Sequence, residues 1–217
     1  MNAPTAVPGL HRITLFVATV LFALVAAPIV HAQVWNETGD AGDLVSTAQA
    51  TLGTGPLTTI NGNLASPTDV DLYCIRMPSV PPAGTPLIQL QCVVNNGPNV
   101  WLFDATGKGV FTNMTCASGS KTILAPNVSL AAGAYYVAVS FTGIDPQAAA
   151  GAIWLPALPG QRAPDGPGGA GSLTAWAGSP IVQPLNPYQI RLAAMSFCDA
   201  ATPTAHSTWG SLKTHYR

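Results

Sequence analysis

Charge is scarce in this chain. Its 217 residues hold eight Lys or Arg and nine Asp or Glu, a net charge of −1. Glu37 is the sole glutamate, and the four histidines stand at positions 11, 31, 206 and 215. With no basic stripe to neutralise a phosphate backbone, nucleic acid is excluded as an expected partner. HExxH is missing, and four scattered histidines are too few for a zinc hydrolase. G-x-S-x-G is missing too, and His206 and His215 sit in the last dozen residues, so a serine nucleophile has no base at hand. A two-carboxylate glycosidase would draw on Asp69, Asp71 or Asp104. However, Asp69 and Asp71 share one strand face, and no second catalytic cluster is evident. The expectation is a chain that is not an enzyme.

Long helical periodicity is also lacking. The one long apolar run covers residues 13–30, "ITLFVATVLFALVAAPIV", after His11 and Arg12. It exits through "VHA" before Gln33, with small Val30 and Ala32 at the cleavage-determining positions. Residues 1–32 therefore read as a secretory signal peptide. A retained anchor is the rival, because the run just reaches spanning length. Pro28 and the small-residue exit favour cleavage, which would leave no membrane span. The expected location is extracellular or cell-surface associated.

What the chain does have is 21 Gly, 20 Pro and four cysteines, Cys74, Cys92, Cys116 and Cys198. An even number of cysteines in an exported chain reads as two disulfides, with three pairings open. Their spacings do not suit the paired short-range ligands of a zinc site. Short alternating segments separated by turn residues predict strands at 57–65, 69–77, 87–94, 100–105, 110–115, 122–130, 131–141 and 188–197. "TGKG" (106–109) predicts a tight hairpin. Seven or eight such strands predict a two-layer antiparallel β-sandwich over residues 33–198. Residues 35–56 read as an irregular leader. Residues 145–187 read as one long Pro/Gly-rich loop, folded back on the sandwich by Ile153, Trp154, Leu155 and Trp176. Residues 199–217 read as a linker and short tail, in which Ser207 caps a helix presenting Trp209, Leu212 and Tyr216.

"DVDLYCIRM" raises the main chemical question. Strand parity puts Asp69, Asp71, Tyr73, Ile75 and Met77 on one face, and Val70, Leu72, Cys74 and Arg76 on the other. Tyr73, Ile75 and Met77 form the core stripe. Asp71 then sits at the rim of the core, where it needs a hydrogen-bond partner or a cation. Asp69, Asp71 and Asp104 are the candidate ligands of a calcium ion, which takes six to eight oxygens from carboxylates and loop carbonyls. Glu37, Asp40 and Asp43 cluster in the leader. Against this, Asp69 also reads as a turn cap, and Asp104 as a group bonding turn amides. Trp101, Tyr136, Trp154 and Trp176 read as core rather than as a ligand platform.

The succession "DVDLYCIRM", "VWLFDATGKGVFTN", "AAGAYYVAVS" and "YQIRLA" resembles the bacterial pre-peptidase C-terminal domain family, over roughly residues 35–195. The resemblance implies a jelly-roll-like sandwich that is not itself catalytic and that assists secretion, localisation or substrate binding. No peptidase accompanies it here. At "NMTCASG" (113–119) relatives often carry acids, where this chain has Met114, Thr115 and Cys116, which weakens any calcium site built there. The expected function is a secreted binding or accessory module whose partner is an extracellular protein or polysaccharide surface. The alternative is a cell-surface or envelope structural protein positioned by its C-terminal tail. A small exported hydrolase is the third reading.

Overall fold

The computed structural model describes residues 33–92, 97–126, 130–156, 158–181 and 187–200. Residues 1–32, expected from the sequence to be a signal peptide, and residues 201–217 of the expected tail lie outside the described residues. No helix occurs among the described residues, and none is long and apolar enough to cross a membrane.

Alternation of apolar and polar side chains lays down the strands. The leader gives β1 (Gln33–Asn36) and the short pieces β2 (Gln49–Ala50) and β3 (Leu52–Gly53). Then come β4 (Leu57–Asn63), β5 (Val70–Met77), β6 (Pro86–Gln91), β7 (Asn99–Asp104), β8 (Gly109–Asn113), β9 (Ser120–Leu124) and β10 (Gly133–Ser140). The long Pro/Gly-rich segment supplies β11 (Ile144–Ala148), β12 (Gly151–Ala152), β13 (Gln161–Arg162) and β14 (Ala175–Gly178). The chain closes with β15 (Pro187–Leu192), β16 (Ser196–Phe197) and β17 (Asp199–Ala200).

Two large sheets face each other. One runs β1-β4-β15-β6-β9 and the other β13-β8-β7-β10-β5-β16. Their pairings are antiparallel apart from β1 along β4, and β2 along β5. The chain crosses between the sheets from β4 to β5, β5 to β6, β6 to β7, β8 to β9 and β9 to β10, the alternation of a jelly roll. Between the sheets lies the main core, in which Ile60, Ile88, Leu90 and Ile190 meet Tyr73, Ile75, Leu102, Val137 and Val139. Lys121 of β9 is also fully buried. Its ammonium donates to the Gly97 carbonyl and to Asn99 Oδ1, each at 2.7 Å, and burial lowers its pKa to about 8.

The two-layer expectation is incomplete. Residues 144–178 are not structureless: β11, β12 and β14 form a sheet of their own, and β13 joins the edge of β8. This segment covers the outer face of the β5-β10-β7 sheet. Leu72, Trp101, Phe103 and Ala138 from the sheet meet Ile153, Trp154 and Leu173 from the segment. Trp101 and Trp154 pack at a tilt of 45° with ring centroids 5.3 Å apart, and Trp176 sits 6.0 Å from Trp101, edge to face. A sheet with both faces apolar must be covered on both, and this one is. The leader is likewise less irregular than expected, since β1 and β2 extend both sheets.

The cysteines pair as Cys74–Cys198 and Cys92–Cys116. The first fastens the chain beyond β16 to its neighbour β5. The second fastens the end of β6 to the turn that precedes β9.

Candidate functional site

The site assembles where β5 begins. Asp71 points inward, as strand parity predicts, but it lies within the core rather than at its rim, with no solvent exposure. Tyr188, from β15 in the opposite sheet, donates its hydroxyl to Asp71 Oδ2 at 2.5 Å. The Tyr188 and Tyr73 hydroxyls are 2.8 Å apart. With Tyr188 giving its proton to the carboxylate, Tyr73 donates to Tyr188. Room for this pair comes from Gly62 of β4, where a Cβ would collide with both hydroxyls.

Asp71 Oδ1 is buried and has no hydrogen-bond partner among the described residues. Leaving a buried carboxylate oxygen unsatisfied is costly. Two further carboxylates approach the Asp71 carboxyl. Asp40, Asp69 and Asp71 each bring one oxygen to within 4.8 Å of the others. Asp69 is held by the Ala65 amide and Asp40 by the Gly42 amide at 2.8 Å. Glu37 anchors the leader beside them, accepting from the Ala41 amide at 3.2 Å and the Asn63 amide at 2.7 Å. Among the described residues no Lys or Arg forms an ion pair with these four acids.

The electrostatics follow from this crowding. Burial pushes the Asp71 pKa up to about 8; the Tyr188 hydrogen bond pulls it down, and the charges of Glu37 and Asp69, with a hydrogen-bonding contact to Glu37 that favours the protonated form, push it further up. Burial, reinforced by the negative charge of Asp71, also drives the Tyr73 hydroxyl far above its ordinary range. Tyr188 is shifted the same way, by burial and then by Tyr73 and Asp71. Both phenols therefore stay protonated and remain donors. Asp71 must hold either a proton or a positive ion. A convergent set of carboxylate oxygens with one oxygen left over suits a hard divalent cation.

The acids predicted from the sequence divide. Asp69 and Asp71 come together as expected. Asp104 does not join them: it caps the β7–β8 hairpin, its Oδ1 accepting from the Thr106 amide and hydroxyl and the Lys108 amide at 2.7–3.0 Å. That is the turn-amide role noted for it above. From the leader, Asp40 enters the cluster and Glu37 flanks it, while the Asp43 carbonyl accepts from Trp176 Nε1 at 2.6 Å. Tyr188 and Gly62 were not foreseen. Tyr188 is 117 residues from Asp71, and no local pattern marks either residue. The four histidines all lie outside the described residues.

No protein-family model matches the chain, and no curated protein sequence matches it.

Proposed function

We infer that this protein is a secreted, non-catalytic β-sandwich, working as an extracellular binding or accessory module whose leader is fastened by a calcium ion. Asp40, Asp69 and Asp71 are the protein ligands, with Glu37 adding negative charge beside them. The orphaned Asp71 Oδ1 carries this reading, since a buried oxygen amid acids is satisfied by a cation more completely than by a proton. The two disulfides suit an oxidising, extracellular compartment. The order of motifs similar to the pre-peptidase C-terminal family supports an accessory role.

Chelator-stripped protein, melted in a calorimeter with and without calcium, tests the site. A ligand that binds only the folded state at a hundredfold excess over its Kd stabilises by ~2.7 kcal/mol. For a chain of this size that raises Tm by about 5–10 °C. A melting temperature indifferent to calcium removes the ion and returns Asp71 to being a protonated core residue.

A further inference from the structure

On the far side of the molecule from the third layer, the β1-β4-β15-β6-β9 sheet presents a face with no covering element among the described residues. Val34 and Leu124 are exposed on its two edge strands, but the outward side chains at its centre are amides and hydroxyls together with Arg191. Three hydrogen bonds run across it in one direction. Arg191 Nε donates to Gln189 Oε1 at 3.3 Å, Gln189 Nε2 to Asn61 Oδ1 at 3.1 Å, and Asn61 Nδ2 to Asn36 Oδ1 at 2.9 Å. Each amide is thereby fixed in orientation by its neighbour.

Beside this relay is a groove of about 330 Å³. Gln89, Gln91, Gln189 and Arg191 form its floor, and the hairpin Ser118–Ser120 forms one wall. The wall is built stiffly. Ser118 and Gly119 both have positive φ, 51° and 81°, as a two-residue hairpin turn demands. Ala117 and Ser120 exchange backbone hydrogen bonds, and the Cys92 amide donates to the Gly119 carbonyl at 3.0 Å. The Cys92–Cys116 disulfide fastens the base of the same turn.

Among the described residues, Arg191 is the only charged one lining this groove. It is exposed and its Nε is spent on Gln189, but its two terminal nitrogens have no acceptor among the described residues. Guanidinium nitrogens offered as a free fork match a carboxylate. The surrounding amides and hydroxyls each offer donors or acceptors, matching sugar hydroxyls. A peptide fits less well, because the strands' backbone is already paired and the groove holds no apolar pocket for side chains.

We propose that this groove binds an acidic polysaccharide, a uronate carboxylate seating on Arg191 and neighbouring hydroxyls on Gln89, Gln91 and Gln189. The proposal rests on the binding-module reading and names its partner.

The test uses the full chain and a labelled oligogalacturonate, followed by fluorescence anisotropy. Binding is expected, weakened about tenfold or more by Arg191→Ala. Arg191→Lys is expected to be weaker than the parent too, since it keeps the charge and loses the fork. Methyl-esterified oligogalacturonate and dextran should bind no better than the Arg191→Ala variant binds the acid. An unchanged melting temperature in Arg191→Ala shows that the fold is intact. Lys108→Ala, which removes an exposed cation outside the groove, should keep the affinity, so positive charge elsewhere on the surface does not serve. The proposal is overturned if Arg191→Ala binds within twofold of the parent, or if dextran binds equally. It is also overturned if polyglutamate binds as well as the uronate, which would make the partner an acidic peptide. Loss of binding with an intact calcium response would sink the groove alone. Binding that ignores Arg191 would leave the module reading standing.

Discussion

Asp71 is held in a conflict that only a proton or a cation resolves. Its ordinary pKa of 3.8 rises to about 8 in the fold, so the folded state grips the proton more tightly than the unfolded one. Without a cation, that contribution to stability is complete below pH ~4 and is lost as pH climbs through about 8. Each pH step between the two values costs up to ~1.4 kcal/mol. A bound divalent ion removes this slope by favouring the ionised form. Melting curves from pH 4 to 8, with chelator and then with calcium, should fall in the first series and stay level in the second. Asp71→Asn keeps an oxygen for Tyr188 and discards the charge. At pH 8 without calcium it should melt above the parent, and calcium should no longer shift it. Gly62→Ala puts a methyl group into the two tyrosine hydroxyls. We expect a loss of ~1–3 kcal/mol by denaturant titration, as for other overpacked cores, together with a weakened calcium response.

Strands were the most legible elements. Parity in β5 assigned Tyr73, Ile75 and Met77 to the main core, where they lie, because a strand's side-chain period is fixed at two whatever surrounds it. Parity is silent on what covers each face. In β7, Val100 and Leu102 enter the main core while Trp101 and Phe103 enter the second, and both sets look equally apolar in sequence. The covering segment has little periodicity of its own; Pro and Gly let it lie flat while Trp154 fills the space above Trp101 and Phe103. Trp154→Ala should therefore cost about 3–5 kcal/mol in chemical denaturation, as for a deeply buried aromatic. An exposed flap would lose almost nothing. Gln161 of β13 adds a smaller device. Its amide accepts from the Leu124 amide at 2.6 Å and donates to the Leu124 carbonyl at 2.9 Å, pairing backbone groups at the end of edge strand β9 that would otherwise be open to another chain.

For the molecule as a whole, the long-range ties fix the ends. Cys74–Cys198 links residues 124 apart, and β17 beside β3 brings the last described residues back to the leader. Glu37 fastens the leader to β4, and the Gly42 carbonyl, accepting from the Leu72 amide at 2.9 Å, fastens it to β5. Disulfide and proposed cation thus act on two neighbouring seams of the same sheet. Replacing both cysteines, Cys74→Ser with Cys198→Ser, should lower stability by ~2–5 kcal/mol. Hydrogen exchange should locate the loosening in residues 187–200 and the leader, and spare the centre of β7 and β10. Equal protection throughout would show that packing alone secures these ends.

Local pattern was enough to specify strands β4 to β8, β10 and β15, the hairpin at Gly107, the apolar stripe of β5 and the oxidised state of the cysteines. Each of these depends on neighbours in the chain or on composition. Pairing of cysteines, convergence of Asp40 with Asp69 and Asp71, exclusion of Asp104, the tyrosine pair over Gly62 and the polar groove all join segments far apart in sequence. Those required the sheets to be stacked in three dimensions, because a carboxylate's partner and its protonation are set by what folds against it rather than by the residues beside it.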